Sequence, residues 1–140
     1  MSTTALTLLF SLTSAQFNLP TNLLSSLCYV ESKHDINAIH VDDGTSNSVG
    51  ICQIKWSTAK WLGFKGTEKQ LMDPKTNIHY AGKFLKYQQT RYKSTTKAII
   101  AYNIGNAKGL LSTKYSAKVI KQWEINNGRK CNSNSCERRR

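Results

Sequence analysis

With 140 residues, 39% of them apolar and 9% aromatic, the chain can fill one hydrophobic core but not two, and a disordered chain is excluded. Its net charge of +12, from 20 basic and eight acidic side chains, draws it to polyanions. No zinc-finger spacing or RNA-binding aromatic signature accompanies that charge, and no run approaches the ~20 apolar residues of a membrane span, so the charge speaks of attraction, not of reaction.

Read in chain order, residues 1–19 form an N-terminal segment. Ala5 to Leu12 is apolar enough to resemble the centre of a secretion signal, with Thr13-Ser14-Ala15 as a cleavage site, but no Lys or Arg precedes it. A first helix or a frayed terminus is the better expectation. Pro20 and Thr21 then supply a stop and a cap, and Asn22 to about Lys33 reads as an amphipathic helix. His34 to Asn47 is a long polar loop with short strand pieces, and Ser48 to Ile54 is a strand or a turn around Gly50. A short helix covers Ser57 to Leu62 and ends at Gly63. Asp73-Pro74 is a start signal, after which Ile78, Ala81, Leu85 and Tyr92 recur at helical spacing. Further helices cover Thr95 to Ile104, stopped at Gly105, and Ser112 to Ile125, carrying Tyr115, Val119, Ile120 and Trp123. From Gly128 the chain is polar, basic and loose. The fold class is α+β and predominantly helical, with a small irregular β segment near residues 36–54.

Glu31 is the residue that stands out. It closes the apolar run Leu23, Leu24, Leu27, Cys28 and Val30, where a core-facing stripe would otherwise continue. A carboxylate there is costly unless it is paired or protonated, and partial burial raises its pKa toward the range of a general acid. Taken alone, the ordinary reading of a helix-end Glu turned to solvent would win over the catalytic one. Four cysteines, Cys28, Cys52, Cys131 and Cys136, contain no C-x-x-C and allow three pairings. Cys28–Cys52 would tie the Glu31 segment to the Gly50 segment, and Cys131–Cys136 would close a small polar loop. Four reduced thiols fit as well. The spacing of His34 and His40 fits no zinc site, and no metal or cofactor is expected.

Three stretches carry a resemblance: Glu31-Ser32, Ser48-Val49-Gly50-Ile51-Cys52-Gln53, and Ala101-Tyr102-Asn103-Ile104-Gly105. In this order they are similar to the E-S, S-x-G-x-x-Q and A-Y-N-x-G signatures of soluble-type lytic transglycosylases, relatives of goose-type lysozyme within the lysozyme-like fold. A weaker match runs from Asp73-Pro74 through Asn77-Ile78 to Phe84-Leu85, the family's bracing helix. The resemblance spans about Pro20 to Gly109 and implies a lysozyme-like domain over 20–126, followed by a basic tail over 127–140. It makes Glu31 the catalytic acid, puts Gln53 on the cleft wall against the sugar, and has Tyr102 hold the Glu31 carboxyl group. Asn103 contacts substrate or orders its turn, Ser32 and Ser48 support the acid and the turn, and Gly50 permits close backbone approach. Cys52 stands where the family has Met, and Ala81 and Phe84 replace its Gly and Tyr, which bears on cleft shape and not on reaction class.

The reaction so implied cuts the bond between N-acetylmuramic acid and N-acetylglucosamine and leaves 1,6-anhydro-muramyl ends, with Glu31 as acid and then base. Two alternatives are a hydrolytic muramidase, with Asp42 or Asp43 positioning water, and a non-catalytic wall-binding module. The expected partner is the peptidoglycan strand, with anionic wall polymers or a secretion or phage machine as further candidates. No specific nucleic acid is expected. The protein should be monomeric, outside the cytoplasm or phage-associated.

Overall fold

The computed structural model describes residues 1–42, 44, 46–132 and 135–138, with side chains as far as Gly128. Helices α1 (Thr3–Gln16) and α2 (Leu23–Ser32) lead into three two-residue strands, β1 (Ile39–His40), β2 (Ser48–Val49) and β3 (Ile54–Lys55). Short helices α3 (Trp56–Trp61) and α4 (Glu68–Leu71) follow, then α5 (Pro74–Tyr92), α6 (Thr95–Ile104) and α7 (Lys114–Asn126). Strands β4 (Arg129–Asn132) and β5 (Ser135–Arg138) pair antiparallel, with Cys131 opposite Cys136. The basic segment expected to be loose is therefore a hairpin in its backbone. The Cys131–Cys136 bridge concerns side chains outside the described ones.

Helix α5 is the axis of the molecule. Asp73 caps it by accepting from the Thr76 amide at 3.0 Å, and Pro74 occupies its first turn, where a missing N–H costs nothing. Its buried side chains include Asn77, Ile78, Ala81, Leu85 and Gln88. Ile78 and Leu85 enter the main core with Phe10, Leu23, Leu24, Leu27, Ile99 and Val119. Phe10 brings α1 into that core, so the first helix packs as part of the body and is not frayed. A second cluster of Val49, Ile54, Ala59 and Leu71 lies with the small sheet. Phe84 packs against both clusters. A cleft lined by Ile54, Phe84 and Tyr102 opens between these two bodies of apolar side chains.

The sheet has the order β1-β2-β3, with Ile39 opposite Val49 and Val49 opposite Ile54. Only four residues, Gly50 to Gln53, separate β2 from β3, and both ends of that turn have positive φ (80° and 51°). Helix α7 runs back along α2, pinned by the Trp123 indole donating to the Thr21 carbonyl at 2.8 Å and the Asn126 amide donating to Ser26 Oγ at 2.8 Å. These contacts fix one end of α7 and set its first turn beside the last turn of α2. Helix α4 was not expected, although Thr67-x-x-Gln70 is a capping-box pattern; both reciprocal bonds of the box form.

Gly82 allows α1 and α2 to approach α5: a Cβ there would lie 2.6 Å from Thr13 Cγ2 and 3.3 Å from Leu24 Cδ2. Replacing Gly by Ala favours a helix by about 1 kcal/mol, while overpacking costs about 1–3 kcal/mol. Because Thr13 is short and buried, the clash should win. Gly82→Ala should therefore lower stability by about 1 kcal/mol in urea unfolding, and in a Thr13→Ser background most of that loss should vanish.

Candidate active site

Leu23, Leu24, Leu27 and Cys28 form the buried face of α2. Glu31 follows Leu27 by four residues and Cys28 by three, so helical geometry carries its carboxyl group onto that same face. It emerges where the core ends and the cleft begins. Tyr115, in the first turn of α7, donates its hydroxyl to Glu31 Oε2 at 2.6 Å. Burial pushes the Glu31 pKa up from 4.5 to about 7, with the Tyr115 hydrogen bond pulling weakly the other way. The group is thus poised between acid and base at neutral pH.

The end of α2 is tied to the β2–β3 turn in two places. Cys28 and Cys52 are joined by a disulfide with their Cα atoms 4.3 Å apart. Ser32 Oγ donates to the Ile51 carbonyl at 2.6 Å and accepts from the Asp35 amide at 3.1 Å. Asn77 clasps the turn from below and is fully buried. Its Nδ2 donates to the carbonyls of Val49 (2.8 Å) and Leu71 (2.9 Å), and its Oδ1 accepts from the Cys52 amide at 2.9 Å. A Cβ on Gly50 would collide with that amide group, on top of the strain of φ +80°. Glycine is required there by backbone and neighbour alike.

Tyr102 is buried on α6 and donates to the Cys52 carbonyl at 2.7 Å. This corrects the expectation that it holds Glu31: Tyr115 does so, while Tyr102 braces the turn across from it. Burial and the nearby Glu31 charge both raise the Tyr102 pKa, which keeps its phenol a donor. Gln53 spends its Nε2 on the carbonyls of Ala38 (3.0 Å) and Gly50 (2.9 Å), which leaves Oε1 as its remaining acceptor. Gly105, with φ +91°, ends α6 and leaves Asn103 exposed on the rim.

Glu31, Ser48, Gln53, Tyr102 and Asn103 line one cleft of about 340 Å³, together with Phe84, Lys55 and Thr58. Ser32 and Gly50 are absent from its wall and act from behind it. Volume alone would not single out this site, since an apolar groove between α1 and α5 measures about 390 Å³. The buried carboxyl group does. Asp42 pairs with the cleft-lining Lys55 at 2.6 Å, while Asp43 lies outside the described residues. His34 is not an exposed loop residue: its Nε2 lies 2.9 Å from the Ser25 carbonyl and its ring stacks on Phe10.

Sequence reasoning missed Tyr115 and gave Asn77 no role beyond its helix. A signal for Tyr115 existed. It shares an apolar helix face with Val119, Ile120 and Trp123, and a phenol turned inward needs a polar partner.

The model of the transglycosylase SLT domain matches residues 9–124. Protein IpgF of Shigella flexneri is 28% identical over 112 residues, 77% of this chain and 74% of that protein, and Protein IpgF of Shigella sonnei matches to the same extent. No solved structure matches significantly.

The raised Glu31 pKa has a stability consequence. Between pH 4.5 and about 7 the folded carboxyl keeps a proton that the unfolded one has lost, so stability falls as pH rises through this window. The full cost, about 3 kcal/mol, is present only above pH 7. Glu31→Gln cannot ionise. Its unfolding midpoint should match the parent near pH 4.5 and exceed it by several degrees at pH 8; an equal gap at both values would contradict the burial assigned to this carboxyl group.

Proposed function

The chain belongs to the transglycosylase SLT family, and on that premise we propose that it is a peptidoglycan lytic transglycosylase working through Glu31 alone. The observation that carries the reading is a single carboxyl group, partly buried against Tyr115, with its pKa near 7. Most glycosidases divide acid and base work between two carboxylates. Here no other carboxylate among the described residues lines the cleft, and Asp42 is engaged by the cleft-lining Lys55.

In the proposed reaction, protonated Glu31 gives its proton to the oxygen bridging N-acetylmuramic acid and N-acetylglucosamine as the glycosidic bond breaks. The substrate's own N-acetyl oxygen stabilises the positive charge at the anomeric carbon. Ionised Glu31 then takes the proton of the C6 hydroxyl, whose oxygen closes on the anomeric carbon to form a 1,6-anhydro ring. The enzyme ends as it began. Tyr115 keeps the carboxyl aimed in both steps, the Gln53 Oε1 and Asn103 amide offer polar contacts to the sugars, and Phe84 offers an apolar surface. A Cys28–Cys52 disulfide supports work outside a reducing cytosol, where the wall is.

Products decide the chemistry. Mass spectrometry of digested peptidoglycan should show anhydro-muramyl ends, and reducing ends in their place would make the enzyme a hydrolase. Glu31→Gln should lose at least ~10²-fold in rate while staying folded. Because the free enzyme must carry the Glu31 proton, kcat/KM should be flat below about pH 7 and fall tenfold per unit above it. Tyr115→Phe, which removes the bond that lowers this pKa, should move that limb upward.

A further inference from the structure

Two aromatic rings stand open to solvent on the α3–α5 side of the cleft. Trp61, the last residue of α3, is 62% exposed, and Tyr87, on α5, is 41% exposed. The rings meet edge to face, with centroids 4.9 Å apart and planes at 84°. Each lies one helical turn beyond a residue of the cleft wall, Trp61 beyond Thr58 and Tyr87 beyond Phe84. One turn further along α5, Arg91 donates to the carbonyl of Gly105, which also lines the cleft, at 3.2 Å. Tyr87 is thus flanked on its own helix by one residue in the cleft wall and another bonded to it. That sets the pair on the rim. Lys83, one turn before Tyr87, donates to the Leu62 carbonyl at 2.8 Å and ties the end of α3 to α5, so the two rings are held in register.

We propose that Trp61 and Tyr87 form an outlying subsite, which stacks an amino-sugar ring of the glycan strand outside the cleft and makes long strands better substrates than short ones. The inference rests on the transglycosylase reading and adds two residues to it. An edge-to-face contact uses one face of one ring and leaves the other faces free. A β-1,4-linked pyranose carries its large groups at its edges, so its C–H faces match an open aromatic ring while its hydroxyls stay in water. Other occupants fit less well. Two side chains of at most about 250 Å² each fall short of the ~800 Å² that a stable protein partner covers. Lys60 and Lys86, next to the two rings in sequence, disfavour a cation there.

The test measures binding of the Glu31→Gln protein to amidase-treated glycan strands sorted by length. Affinity should step up roughly tenfold once a strand is long enough to leave the cleft and reach the rings. Adding Trp61→Gln should remove that step and leave the affinity for the shortest binding strands unchanged. Trp61→Phe, which keeps a ring, should restore most of it. Because Trp61 is mostly exposed, the Gln variant should unfold at the parent temperature, and Tyr87→Gln provides a second removal that does not depend on it. A step that survives both Gln variants, equal weakening at every length, or no step in the parent would each overturn the proposal. The enzymatic reading fails separately, if wild-type protein releases no anhydro ends from strands of any length.

Discussion

The structure depends on how one tight turn is held. Gly50 to Gln53 must reverse the chain within four residues, and that leaves several backbone groups facing inward with no strand to pair with. Asn77 meets two of these groups, the Cys52 N–H on the turn and the Val49 carbonyl at its flank, together with the Leu71 carbonyl at the end of α4, which is why its amide can sit wholly inside the protein without penalty. Remove either partner and the rest loosens: a side chain on residue 50 evicts the amide, and a shorter residue at 77 leaves the Cys52 N–H and the Val49 carbonyl unpaired. An unpaired buried group costs about 1–3 kcal/mol. The Cys52 backbone is thereby held on both sides, by Asn77 at its amide and by Tyr102 at its carbonyl.

Through Cys28 and Ser32 the same turn is fastened to the last turn of α2. Glu31 and the cleft-lining Gln53 consequently belong to one rigid unit, although 22 positions separate them in sequence. Closing that loop with a disulfide restricts the unfolded chain by about 3 kcal/mol on the entropic account. That gain is comparable in size to what burial of an ionised Glu31 takes away. The site is thus assembled from a stabilising link and a destabilising carboxyl group, side by side on one helix end.

Much of this was legible in the sequence, and for identifiable reasons. The Asp73-Pro74 start, the Gly105 stop and the apolar spacing on α5 are local rules, and each element appears within a residue or two of its expected limits. Glu31, Gln53 and Asn103 were singled out by three short motifs that resemble a family's signatures, and the fold brings all three to one cleft. Which tyrosine holds the acid was not legible. That depends on where α7 lies against α2, and the contacts that fix it, Trp123 to Thr21 and Asn126 to Ser26, span about a hundred residues. The hairpin after Gly128 was missed because its composition is that of a solvated tail. Pairing of Arg129 opposite Arg138 is nothing that side-chain pattern would suggest.

Charge distribution explains why the acid can keep a high pKa in so basic a protein. No Asp, Glu, Lys, Arg or His occurs in residues 1–30, so Glu31 is the first charged side chain in the sequence and stands at the end of two helices that carry no other. Burial therefore dominates its titration, with the Tyr115 bond as the opposing influence. The 20 basic side chains might be expected to hold it ionised, but exposed ammonium groups are screened over about 8 Å at physiological salt. Even Lys33, two residues away, points into water. Attraction and proton binding accordingly lie on different surfaces. Exposed lysines can attract anionic groups that come within that range while leaving the Glu31 proton undisturbed.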